Sequence, residues 1–433
     1  MEKANKQLAP KRWSKLIPIA FITYSLAYLD RANYSFGVAG GMGKTLHITP
    51  SVASLLSALF FLGYFFFQIP GAAYAEKKSA KKLVFVSLIL WGVLASATGL
   101  ITNVKYLYGI RFMLGVVESA VMPAMLIFLS NWFTKAERSR ANTFLILGNP
   151  VTVLWMSVVS GYLVKSLGWQ MMFILEGLPP IIWAFVWWKL VNDNPKDATW
   201  LTEQEKRDME MTFKEEQAKI KPVKNYREAF KNPKVILLSC QYFFWSIGVY
   251  GFVMWLPSIL KSASNISIVT AGWLSSVPYL LASILMVVTS YYSDRTMNRK
   301  GFVWIYLLIG TIAFYGSYLI GTSNFWASFI LLVIAGGAMY APYGPFFAII
   351  PEILPKNVSG GATALINSMG ALGSFVGSYV VGYLNGVTGN ANASYKFMAA
   401  SLLLSVIFTL VVKTSSSYKD KQASDGILSS SDI

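Results

Sequence analysis

The chain has 433 residues, 55% of them hydrophobic, 15% aromatic and only 13% charged, with a mean hydropathy of +0.50. Soluble globular chains carry about 25% charged residues, so the composition argues against a soluble enzyme and against a disordered or fibrous protein. The net charge of +17 invites a nucleic-acid reading until the charges are mapped onto the chain.

Apolar runs long enough to cross a bilayer, about 20 residues each, recur twelve times. A basic tail (Lys3, Lys6, Lys11, Arg12, Lys15) leads into the first run, 16–40, which contains Asp30 and Arg31. This reads as a retained helix rather than a cleaved signal. Runs 53–74 and 83–101 flank a loop with Lys77, Lys78, Lys81 and Lys82. The next, 106–133, holds Arg111 and Glu118, and 141–164 and 171–190 follow. A polar stretch rich in Lys and Glu, helical in part from Glu203 to Lys219, then precedes 235–260, 271–292, 303–320, 325–350, 362–384 and 395–412. Pro257, Pro278 and Gly310 interrupt three of these, as intramembrane helices tolerate. The expected fold is an all-α polytopic membrane protein with 12 transmembrane helices in two six-helix, pseudo-symmetric bundles. Residues 1–190 form the first bundle, 191–234 a cytoplasmic linker, 235–412 the second bundle and 413–433 a cytoplasmic tail.

Thirty of the 37 Lys and Arg fall in the tails and alternate loops that share one side of the membrane, eleven of them in 189–234. The opposite loops hold only Lys44, Lys105, Lys165, Lys261 and Lys396. Such a bias places both termini in the cytoplasm. The charge is topogenic, so the lipid bilayer rather than nucleic acid is the expected surroundings.

The halves share a marker. Tyr74-Ala-Glu76-Lys77, followed by Lys81-Lys82, matches Tyr292-Ser-Asp294-Arg295, followed by Arg299-Lys300, 218 positions later. At the same offset Asn149 meets Asn367. Weak internal symmetry of this kind belongs to duplicated transporters, whose substrate sits near the midplane between the halves.

The two loops resemble the cytoplasmic loop motif of the major facilitator superfamily, although Ala72 and Ser79 stand at its usual glycine positions. Leu29-Asp30-Arg31-Ala32-Asn33, Tyr64 to Gly71, Arg111 to Glu118, Phe173 to Gly177 and Asp193 to Leu201 resemble its anion:cation symporter branch. Bacterial permeases of that branch import sugar acids such as galactonate, glucarate, hexuronates and 2-ketogluconate with protons. The resemblance implies a multi-pass protein of the bacterial cytoplasmic (inner) membrane, monomeric, with no cofactor.

Charges within spans cost roughly 2.5–3.5 kcal/mol each at the bilayer centre, so they face partners or water. Arg111 and Glu118 are seven apart, on one helix face about two turns from each other. Tyr24, Tyr28, Arg31 and Ser35 form a stripe that suits a hydroxylated carboxylate, since a guanidinium grips carboxylate oxygens in a fork. Asp30–Arg31 and Arg111–Glu118 could instead be scaffold ion pairs, with Arg111 the charge partner. In the resemblance, Arg31 matches the carboxylate ligand and Asp30 and Glu118 the proton-coupling pair. Tyr64, Asn149 and Asn367 match positions that bind substrate hydroxyls, Asn149 replacing a glutamine. Glu176 reads as a structural hydrogen bond at a kink. His47, the only histidine, lies in an external loop, and Cys240 is the only cysteine, so metal and thiol chemistry lack ligands.

The function read from these features is proton-coupled uptake of a small organic anion by alternating access. The carboxylate docks on Arg31 and its hydroxyls meet Tyr28, Tyr64, Asn149 and Asn367, while Asp30 and Glu118 carry protons. The rival reading is an exchanger or uniporter of the same fold. Among the aromatic and amide residues of the second half, Gln241, Tyr242, Trp245, Tyr250, Tyr340 and Tyr343 read as packing. Gly336-Gly337, Gly370, Gly373 and Gly377 read as close helix contacts.

Overall fold

The computed structural model describes residues 10–218, 232–264, 266–296, 298–321, 323–353 and 359–412. Within them the backbone is helical almost throughout, the form that satisfies every N–H and C=O inside hydrocarbon. We label the crossing helices α1 (Lys11–Gly37), α2 (Pro50–Lys77), α3 (Ala80–Leu100), α4 (Val104–Trp132), α5 (141–167), α6 (169–190), α7 (Pro233–Ser264), α8 (Ile268–Thr296), α9 (Arg299–Ile320), α10 (Phe325–Ile349), α11 (Ser359–Thr388) and α12 (Asn392–Val411). Among the described residues, ten helical runs are long and apolar enough to cross a bilayer. One of them, Ala141–Leu190, has 50 residues, about 75 Å of helix and more than one crossing can use. It folds back at Gly168, whose φ of +83° suits glycine, and so supplies α5 and α6. The charged α1 completes the twelve.

Helix starts follow local sequence. Thr49 and Ser79 accept from the backbone N–H groups of Val52 and Lys82, and Asn103, Asn298 and Asn324 cap α4, α9 and α10 in the same way. Large apolar side chains such as Ile182, Phe185, Ile312, Leu319, Trp326 and Ile330 point outward, as a lipid-facing surface requires. Inside, helices meet where glycine removes the side chain. A Cβ on Gly115 of α4 would strike the Phe60 carbonyl of α2, and Cβ atoms on Gly373 and Gly377 of α11 would strike the Phe243 and Ile247 carbonyls of α7. Gly336 and Gly337 pack likewise on Pro278 and Leu281 of α8.

At the end carrying the termini, Arg12 departs from its place in an exposed basic tail. It lies in the first turn of α1, fully buried, and donates to the Trp132 carbonyl and both Glu137 oxygens (2.5, 3.1 and 2.9 Å). Nearby, Asp193 accepts from the Ser79 hydroxyl and the Lys81 N–H at the start of α3, a favourable place for an anion. The Asn131 side chain donates to the Asp193 carbonyl, tying the end of α4 to that of α6. Lys77 and Arg295 of the repeated loops are exposed, whereas the side chains of Glu76 and Asp294 lie outside the described part of the structure.

Burial alone would raise the carboxyl of Glu137, but its bonds from Arg12 and Thr134 outweigh this and hold it below the usual 4.5. A depressed carboxylate stabilises the fold above its unfolded value and loses that contribution as pH falls through the folded value. Arg12→Ala should cost between the roughly 1 kcal/mol of a surface pair and the roughly 3–5 kcal/mol of a buried one. Thermal unfolding in detergent tests this: the gap between wild type and Arg12→Ala should narrow as pH falls below about 4.5. A gap constant from pH 7 to 3.5 would refute the ion pair's role.

Candidate functional site

Between the halves, near mid-depth, lies a cavity walled by α1, α2, α4 and α5 on one side and α7, α10 and α11 on the other. Arg31 is its cation. The residue is 4% exposed, and its Nε donates to Glu118 Oε2 of α4 at 3.0 Å. The guanidinium carbon lies 4.8 Å from the ring centroid of Tyr64 and 5.6 Å from that of Phe60, a contact that stabilises a desolvated cation. Its Nη2 is buried and has no hydrogen-bond partner among the described residues. Neither does Asn149 Oδ1 on the α5 wall. Buried donors and acceptors of this kind are costly unless something pairs with them.

The far wall supplies hydroxyls and amides. Tyr242, Ser246 and Tyr250 line the cavity from one face of α7, and Asn367, Gly370, Ala371 and Ser374 from one face of α11. Tyr343 and Phe347 of α10 close the side. Met122 joins the halves, its sulfur accepting from Tyr24 Oη at 3.4 Å and Asn367 Nδ2 at 3.7 Å. The space inside is small, about 40 Å³, room for about three waters. At the end away from the termini the halves touch closely. Gly272 of α8 packs on the Ser157 carbonyl of α5, Gly386 of α11 on Pro50, and Gly382 on Ser54 of α2 and Trp255. On the terminal side Ser368 donates to Gln68 at 3.1 Å.

The profile of the Major Facilitator Superfamily matches residues 20–378 and, overlapping, 258–426. The chain belongs to the Major Facilitator Superfamily. It is 29% identical over 409 residues to a putative tartrate transporter of Agrobacterium vitis, covering 93% of this chain and 90% of that one. It is also 29% identical over 406 residues to a quinolone resistance transporter of Acinetobacter baumannii (92% and 93% covered). Among solved structures, a D-xylose-proton symporter superposes with a TM-score of 0.74 at 14% identity over 92% of this chain and 97% of that one, a likeness of fold. The protein is therefore a multi-pass transporter of this superfamily and not an enzyme.

Within this superfamily fold the expected site residues take different places around the cavity. Arg31, Tyr64, Asn149 and Asn367 all line the cavity. Glu118 is fully buried behind it on Arg31. Tyr28 stands aside: its hydroxyl meets that of Tyr340 at 3.1 Å, bridging α1 and α10, and its ring lies 5.7 Å from the Arg31 guanidinium. Arg111 does not line the cavity; its Nε donates to the Leu56 carbonyl at 3.2 Å and its guanidinium lies 4.4 Å from the Tyr34 ring centroid. Asp30 occupies α1, and its side chain lies outside the described part of the structure.

The ion pair seen between α1 and α4 is Arg31–Glu118. Glu176 accepts from Ser160 at 2.5 Å, joining α6 to α5 as a structural hydrogen bond. Tyr242, Tyr250 and Tyr343 prove to be lining residues, whereas Trp245 donates to the Met339 carbonyl and packs. The signal for the α11 wall was present: Asn367, Gly370, Ala371 and Ser374 stand at i, i+3, i+4 and i+7.

Proposed function

We propose that this transporter imports a small organic anion, a sugar acid of the aldonate, ketoaldonate, aldarate or hexuronate class, together with protons by alternating access. The observation that carries this reading is Arg31, a buried guanidinium on a cavity between the halves, bonded on one edge to Glu118 and with Nη2 left for a ligand. A carboxylate placed there receives a charge-assisted bond. Tyr64, Tyr242, Tyr250, Asn149 and Asn367 offer hydroxyls and amides to a polyhydroxylated chain. The tartrate named in one relative is itself a four-carbon aldarate, which supports the class.

Coupling follows from competition for Arg31. When substrate carboxylate engages the guanidinium, Glu118 shares its cation and binds a proton more readily. Asp30, one residue from Arg31, is the second proposed carrier. Arg111 positions α1 against α2, and Tyr28 holds α1 to α10 by its bond to Tyr340. The charge asymmetry of the loops supports a bacterial inner-membrane protein with both termini cytoplasmic and residues 191–234 linking two six-helix bundles. On this orientation the closed end faces outward.

Proteoliposomes test the reading. With an inward proton gradient they should accumulate one of tartrate, galactonate, glucarate, galacturonate or 2-ketogluconate, and a quinolone should not compete. Equal uptake with and without the gradient, once leak is excluded, would favour the uniporter. Uptake only against preloaded anion would favour the exchanger.

A further inference from the structure

The end of the bundle away from the termini has a charge pattern that the central cavity does not explain. By position in the sequence, none of the 20 Asp and Glu falls in a turn at that end, whereas Lys44, Lys105, Lys165, Lys261 and Lys396 all lie in or beside those turns. A face with one sign of charge draws oppositely charged solutes toward it.

One of these lysines sits on the seam between the halves. Lys261, at the far end of α7, donates from Nζ to the Ala39 carbonyl at 2.5 Å. That carbonyl belongs to the irregular turn Val38–Met42 after α1, where Gly41 has φ +106°. Lys44, just beyond the same turn, is close enough to act electrostatically on Lys261.

Register connects this lysine to the cavity. Tyr250, Met254, Pro257 and Lys261 stand at i, i+4, i+7 and i+11, one face of α7, and Tyr250 lines the cavity. The ammonium is thus carried by the helix face that leads to Arg31, about 16 Å along the axis from Tyr250.

We propose that Lys261, with Lys44 beside it, is an outer carboxylate site on the transport path. When the far end opens, the ammonium leaves the Ala39 carbonyl and receives the anion's carboxylate, which then passes along α7 to Arg31. On closing, the Ala39 carbonyl takes the ammonium back and the anion is released inward. The inference rests on the anion-import reading above, and its test is built to fail separately.

Initial rates of L-tartrate and galactonate uptake into intact cells provide the first measurement. Lys261→Gln should raise KM about tenfold with Vmax within twofold, and Lys261→Arg should restore KM. Wild-type KM should rise with ionic strength and that of Lys261→Gln should rise less steeply, because one of the screened charges has been removed. An unchanged KM, or a salt dependence in Lys261→Gln as steep as in wild type, would overturn the site. A change in Vmax alone would leave only a latch.

The second measurement needs no substrate. In a Cys240→Ser background, Ser262→Cys places a thiol at an exposed position beside the lysine. Its reaction with an anionic methanethiosulfonate should outpace that with a cationic one, and Lys261→Gln should lower this ratio several-fold. If wild type transports neither acid, the import reading fails while this ratio still decides the cationic site. An unchanged ratio refutes it.

Discussion

Arg31→Ala should lower kcat/KM for uptake by about 10- to 100-fold, because a charge-assisted bond from a guanidinium to a carboxylate contributes roughly 1.5–3 kcal/mol and each 1.4 kcal/mol is about tenfold. Initial-rate uptake in proteoliposomes checks this. Truncation also deprives the fully buried Glu118 of its bond to Arg31, and breaking a buried ion pair by removing one partner costs about 3–5 kcal/mol of stability. Lost transport could therefore reflect a lost fold. The double variant Arg31→Ala/Glu118→Gln separates the two: removing both charges should recover thermal stability and leave transport impaired. Recovery of transport in the double variant would show that Arg31 serves only to neutralise Glu118. Arg31→Lys keeps the charge without the fork and should transport poorly, since one ammonium cannot hold Glu118 and a two-oxygen ligand in the same geometry.

Glu118→Gln has the second large effect, on coupling rather than on binding. The amide keeps the shape of the carboxyl and can still accept from Arg31 Nε, but it cannot take a proton. Counterflow, in which external labelled acid exchanges for internal unlabelled acid, should persist within a few-fold of wild type. Accumulation driven by an inward proton gradient should fall to equilibration. Retained accumulation in Glu118→Gln would move the proton elsewhere, with Asp30 the next residue to replace by asparagine.

These two variants concern a pair that was only half legible in the sequence. Hydropathy and loop charge marked the spans because the bilayer imposes both length and sidedness on them. Helical spacing put Arg31 on a stripe with Tyr24, and both line the cavity. Spacing says nothing, however, about which residue of another helix faces that stripe. The Arg31–Glu118 pair between α1 and α4 could be found only from the fold, which also sets the Arg111 guanidinium beside the Tyr34 ring. The aromatic residues were ambiguous for a related reason. Tyr242 and Trp245 lie three apart on α7, yet one borders the cavity and the other packs behind it on Met339. Arg12 looked like part of a solvated basic tail because its partner, Glu137, lies 125 residues away. The break between 141–164 and 171–190 was easier to read, and it falls at Gly168, where φ is +83°.

The Arg31–Glu118 pair has an electrical consequence. Empty, the two charges cancel. With a monocarboxylate on Arg31 and a proton on Glu118 they cancel again. With either cargo alone, the centre carries a full unit of charge, and moving it across a potential of 100 mV costs or yields about 2.3 kcal/mol. For a monocarboxylate, the two states that cross the membrane in the proposed cycle are thus the two in which this pair feels no voltage, whereas an aldarate dianion reaches the same balance only with a second proton, the one proposed for Asp30. On the proposed reading, neutrality of this pair would favour the joint passage of a monocarboxylate and one proton.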